Sequence, residues 1–157
     1  MLRCARDTRS LPLRHPLRSI EMAATIAATG GSMSWADKFN LLNGLVILRL
    51  TCALFFLPHV IAKFTEPATL NFFVAAGFKP PATWMYIAGT IETVLTLGLV
   101  FDIYTPYVAA IAAFHLLVAG AATYKVTKKW IWVIGGIEYC VFWMLCCVAL
   151  AMLTWPK

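Results

Sequence analysis

The chain has 157 residues, of which 61% are hydrophobic and 13% charged, with a mean hydropathy of +0.78. Soluble domains carry about 25% charged residues, so this composition excludes an ordinary water-soluble enzyme and points to an integral membrane protein. The net charge is +6, but five of the 13 basic residues are arginines in the first 18 positions and the rest lie near helix ends, a pattern of topology signals and headgroup anchors rather than of a nucleic-acid surface.

Residues 1–33 are Arg-rich, contain proline and lack aromatics, so they are expected to be disordered. No run of about 7–15 apolar residues follows the arginines, which argues against a signal peptide. An organellar transit peptide and a true start at Met22 or Met33 stay open as alternatives. His15 in this segment carries no functional reading.

Ser34 to Asp37 fits a capping box directly before the first apolar run. Trp35 and Phe39 suit a membrane interface. Helix 1 is predicted over about 41–62, with Pro58 as a kink point. Residues 64–82 are too short and too polar to span. Pro67 suits the first turn of a helix and Gly77 its end, and Leu70, Phe73 and Val74 repeat at helical spacing. A short amphipathic helix at the interface follows.

Helix 2 is predicted over about 84–101, a tight turn over 102–105, and helix 3 over about 106–124 after Pro106. Ala109, Ala112, Ala113, Ala119 and Gly120 allow close packing of helix 3. Lys125, Lys128 and Lys129 form the next connection. Helix 4 is predicted over about 131–153, with Trp130 and Trp132 at one boundary and Trp155 at the other. The expected fold is therefore all-α, an integral membrane four-helix bundle over 34–157 with a short interfacial helix between helices 1 and 2. Both termini lie on one side. With the full N-terminus that side carries the more basic residues; from Met33 the bias reverses, so orientation depends on the true start.

Charges inside apolar spans are costly, and they usually face the protein interior and pair. Arg49 lies about 12 Å along helix 1 from the terminal side, and Glu92 and His115 lie about 13–14 Å from that same side. The matched depth predicts an Arg49–Glu92 structural ion pair with His115 adjacent. A second layer is expected near the other face. His59 and Lys63 are four apart on helix 1 and neighbour each other. Glu138 lies about 10 Å into helix 4, behind Gly135 and Gly136, with Tyr139 next to it. Glu138 and His59 are the catalytic candidates; Lys63, His115 and Tyr139 are the ligand-binding candidates. Thr93 and Thr96 are expected to bond their own helix carbonyls. The five cysteines, Cys4, Cys52, Cys140, Cys146 and Cys147, form no CxxC and no metal spacing. No metal is expected, and Cys140 and Cys147 read as packing residues.

The run from Leu48 to Lys63, LRLTCALFFLPHVIAK, resembles the first helix of the DoxX family of small membrane proteins. The shared pattern is Arg49, the Phe55–Phe56 pair, His59 ten residues after Arg49, and Lys63 four further. Phe73 to Pro80 resembles the family's interfacial segment, Glu92 with Gly98-Leu99 its second helix, and Trp132 to Tyr139 the polar start of its fourth. The resemblance covers roughly residues 40–153. Ala53 and Val60 stand where the family often has glycines, and Asp102 where it often has a basic residue.

The resemblance implies a four-helix protein of the bacterial inner membrane linked to quinone or thiol-sulfur redox chemistry, since some members resemble a small subunit of a thiosulfate:quinone oxidoreductase. It implies an accessory subunit that binds no cofactor covalently, takes quinone, and draws electrons from a partner protein in the bilayer, with oligomerisation open. A quinone needs an apolar slot and proton donors at its two oxygens, which His59 with Glu138, or His115 with Glu92, would supply. The alternative is a non-enzymatic membrane scaffold or chaperone-like assembly factor. A solute or proton pathway ranks below both, because four short helices leave little lumen.

Overall fold

The computed structural model describes residues 35–131 and 135–156. The expectations for residues 1–33, for Ser34 as a cap and for Trp132 at the membrane boundary lie outside the described residues. Among the described residues every regular element is a helix: α1 (Trp35–Lys38), α2 (Gly44–Leu54), α3 (Phe56–Thr65), α4 (Pro67–Ala75), α5 (Pro81–Val100), α6 (Thr105–Thr127) and α7 (Glu138–Thr154).

Helices α2 and α3 form one apolar rod of 22 residues interrupted at Phe55. The side chain of Asn43 caps its start by accepting from the Leu45 amide at 3.0 Å. The interruption falls one turn before Pro58. Proline has no amide hydrogen to give the carbonyl four residues back, here Leu54, so the helix loosens there. Pro67 occupies the first turn of α4, and Gly77, at φ +83°, follows its end in a left-handed conformation.

The two-helix rod, α5 (20 residues) and α6 (23 residues) are each long and apolar enough to cross a membrane; α7 is apolar but has 17 residues, short of the roughly 20 that a span needs. Helix 4 was expected to begin near residue 131, and α7 begins at Glu138 instead. Lys128, at φ +56°, ends α6. The chain then pairs with itself: the amides of Gly136, Ile137 and Glu138 donate to the carbonyls of Ile131, Lys129 and Trp130 at 2.8, 3.2 and 3.0 Å. A Cβ on Gly136 would stand 2.1 Å from the Trp130 backbone, so only glycine permits this pass.

Packing follows from small residues. Ala109, Ala112 and Ala113 are buried on one face of α6 and bring it against α7, its most extensive neighbour. Helix α2 packs on α5 and α7, while α3 and α4 both pack on α5. Phe56, Leu99, Leu150, Cys52 and Cys147 are the largest fully enclosed side chains among the described residues. Large apolar side chains such as Leu54, Val94, Phe114, Phe142 and Met152 face outward. An exterior of this kind suits hydrocarbon and not water.

Candidate functional site

Arg49 and Glu92 do not pair. Arg49 Nη1 donates to the carbonyls of Leu99 and Val100, the latter at 2.8 Å, and Nη2 donates to the carbonyl of Lys38. Its acidic neighbour is Asp102, 3.8 Å from Nε. Two physical facts explain the departure from the matched-depth expectation. The helix starts at Gly44 rather than 41, which puts the Arg49 backbone only about 7–8 Å in. Helical side chains also lean toward the N-terminus of their own helix, and that lean carries the guanidinium back to the terminal face. There it meets the C-terminal carbonyls of α5, where a cation complements the helix dipole.

The same lean sends Lys63 the other way. On α3 the N-terminal direction is inward, so the ammonium reaches Glu92 and donates to both carboxylate oxygens, at 2.7 and 2.9 Å. Gly89, one turn before Glu92, makes the approach close: a Cβ there would sit 3.4 Å from Lys63 Cδ and 3.3 Å from the Phe64 ring. From α6, His115 Nε2 lies 3.0 Å from Glu92 Oε1. Glu92 is buried and thus holds a cation and an imidazole at once. The Thr93 and Thr96 hydroxyls turn back to the carbonyls of Gly89 and Glu92, at 2.8 and 2.7 Å, and leave the carboxylate to these two partners.

This cluster lies on the wall of a cavity of about 710 Å3 enclosed by α3, α4, α5, α6 and α7. The rest of the lining is almost wholly apolar and aromatic. Phe56 packs on Trp143 at 4.3 Å between ring centroids, and the Trp143 indole donates to the Cys52 carbonyl at 3.2 Å. His59 stacks on Tyr139 at 6.3 Å and lies 5.7 Å from Trp143. The α4 side is built of Phe72, Phe73 and Phe78, with Trp84 beyond, and Lys125 holds the end of α4 by donating to the Ala76 carbonyl at 2.8 Å.

The expected cluster of His59, Lys63 and Glu138 does not form. Lys63 belongs to Glu92. Glu138, the first residue of α7, is outside the cavity lining and makes no ion pair with either. The reason is the late start of α7, which leaves Glu138 at the helix end rather than about 10 Å deep. His59, Lys63, His115 and Tyr139 all line the cavity, together with Glu92 and Cys140. Sequence reasoning missed the Lys63–Glu92 contact and the aromatic wall from α4. Gly89 was the available signal for the first and the Phe72–Phe73 pair for the second. Among the described residues, no group of three or more His, Cys, Asp or Glu is placed to hold a metal ion.

The arrangement offers N–H groups and a carboxylate, charge-balanced between Lys63 and Glu92, facing a largely apolar space big enough for a ring-sized ligand. A comparison with protein families finds that the model described as DoxX matches residues 44–125. That range runs from the start of α2 almost to the end of α6 and includes Arg49, His59, Lys63, Glu92 and His115. No curated protein and no solved structure matches the chain.

Proposed function

The chain belongs to the DoxX family of membrane proteins, whose model matches more than half of it, and from that premise we propose that the cavity is a quinone site in a redox accessory subunit of a bacterial inner-membrane complex. The observation that carries this reading is a polar triad, Lys63, Glu92 and His115, set in an otherwise aromatic cavity. Quinone chemistry asks for that combination. The ring and tail need apolar walls, and the two carbonyl oxygens need hydrogen-bond donors.

Charge balance selects among ligands. The Lys63 ammonium is already met by both oxygens of Glu92, so an anionic substrate would find no free positive charge and would face a carboxylate in a low-dielectric space. A neutral carbonyl ligand pays no such penalty. Lys63 serves as an N–H donor to a quinone oxygen by turning the N–H that meets the His59 carbonyl at 3.3 Å, and Glu92 orients both Lys63 and His115. His59, on the Tyr139–Trp143 surface, lines the cavity one turn before Lys63 on α3. Reduction to the quinol takes up two electrons and two protons. A partner redox protein supplies the electrons, and the triad conducts the protons to the ring oxygens. Helix α7 completes the bundle as a fourth span by local adjustment of bilayer thickness.

The test is a titration of the protein in lipid nanodiscs with quinone, read by quenching of Trp84 and Trp143, which both line the cavity. Saturable quenching is expected, weakened about 10–100-fold in Glu92→Gln, the range set by losing a charged hydrogen bond. Quenching that never saturates, or that ignores this substitution, removes the quinone site and leaves the scaffold role.

A further inference from the structure

The cavity does not end at its own walls. Six of its lining residues are also among the outward-facing apolar side chains: Trp84 at the α4 side and, along the seam of α5 and α6, Ile87 and Ile91 on α5 with Ile111, Phe114 and Val118 on α6. Their exposure runs from 38% at Ile91 to 67% at Phe114, too high for a closed wall. The two helices are tightly joined at their shared turn, where Val108 stands 3.1 Å from the position of a Cβ on Gly98. One turn and more beyond that contact the two sets of side chains flank the Glu92–His115 bridge, Ile111 and Phe114 on the turn side of it and Ile87, Ile91 and Val118 on the far side, and their exposure leaves a gap between these two lips. On α5 the lip residues are four apart and on α6 three, four and seven apart, so each set forms one stripe along its helix.

We infer that this gap between α5 and α6 is a lateral portal through which the polyprenyl tail of the quinone leaves the cavity and lies in the bilayer. The inference rests on the quinone reading and adds to it the route and the tail subsite. A volume of about 710 Å3 accommodates a quinone ring and the first part of a chain, so a tail of many isoprene units has to leave. The side toward α4 is lined by Phe72, Phe73 and Phe78, of which Phe73 is buried, and Lys125 fastens the end of α4 through the Ala76 carbonyl. The lips of the lateral gap carry no polar atom beyond the backbone, which suits a hydrocarbon chain and offers nothing to a headgroup. The triad lies just inside the gap, so a tail in the slot leaves the ring at Glu92 and His115.

The experiment compares two probes on the protein in nanodiscs: a benzoquinone with a decaprenyl tail and the same ring without a tail, both radiolabelled, with equilibrium affinity as the readout. In the double variant Ile91→Phe with Val118→Phe the slot is filled. Its affinity for the tailed quinone is expected to fall about tenfold more than its affinity for the tail-less ring, the equivalent of one to two methylene groups no longer buried. The converse variant, Phe114→Ala, opens the outer lip; association of the tailed quinone is expected to speed up several-fold, with the tail-less ring unaffected. Equal loss for both probes, or no change for the tailed one in either variant, overturns the portal while the quinone site stands. Failure of both probes to bind the unmodified protein removes the quinone site and the portal together.

Discussion

Arg49 and Glu92 are both charges buried in apolar helices, and the protein uses them in opposite ways. Around Arg49 every contact is consumed by the fold: two carbonyls at the end of α5, one at the end of α1, and Asp102 in the turn. Nothing is left facing space. Around Glu92 the contacts are side chains from two other helices, Lys63 and His115, and the cluster borders an open cavity. The price of burial is similar in kind. The difference is what remains accessible afterwards. A buried charge satisfied by backbone is a staple, and one satisfied by titratable side chains beside a void can do chemistry.

That contrast can be broken most forcefully at Arg49. Arg49→Met leaves Asp102 without its cation and strips the last carbonyls of α5, so unfolding in detergent is expected to lose about 3–5 kcal/mol. The folded fraction should bind quinone within about twofold of the original. A large affinity loss in protein that is still folded would place Arg49 in the site. Glu92→Gln leaves the buried Lys63 ammonium without its anion, so it too is expected to lose about 3–5 kcal/mol, but here the folded fraction should bind quinone about 10–100-fold more weakly, as stated above. A purely structural Glu92 would leave the affinity of the folded fraction within about twofold.

Smaller effects sharpen the boundary of the site. Lys125→Met removes a cation from the C-terminal carbonyl of α4, a contact of about 0.3–1 kcal/mol. Amide exchange over 67–75 should speed up with little change in overall stability. Uniform protection across those amides would show that α4 is held by its Phe side chains alone. The smallest effect is expected from Glu138→Ala. It removes only a favourable charge at the start of α7, worth below about 1 kcal/mol, and leaves quinone titration unchanged. A loss of binding there would return Glu138 to the site.

Much of the fold was legible in the sequence because it depends on local chemistry. The long apolar runs, Pro67 at the start of α4, Gly77 after it and the self-bonded threonines follow from hydropathy, missing donors and backbone freedom. Partner choice was less legible. Backbone depth assigns Glu92 to Arg49, yet Arg49 and Lys63 are long side chains that both lean N-terminally, by enough to give Glu92 to Lys63 and to leave Arg49 with Asp102 and the α5 carbonyls. Glu138 was misplaced for a different reason. The tryptophans near residue 130 read as the start of a span, whereas the chain there folds on itself around Gly136, a contact between segments that no helical periodicity encodes.

The partners of the first span also carry a consequence for how the chain is made. Arg49 and Lys63 are made first, on the apolar rod, where a charge costs up to roughly 2.5–3.5 kcal/mol at a helix centre on insertion scales and less toward the ends, where these two lie. Both acids that answer them, Glu92 and Asp102, arrive later on α5 and the turn behind it. The α2–α3 rod is therefore a poor membrane segment by itself and a good one once α5 lies beside it.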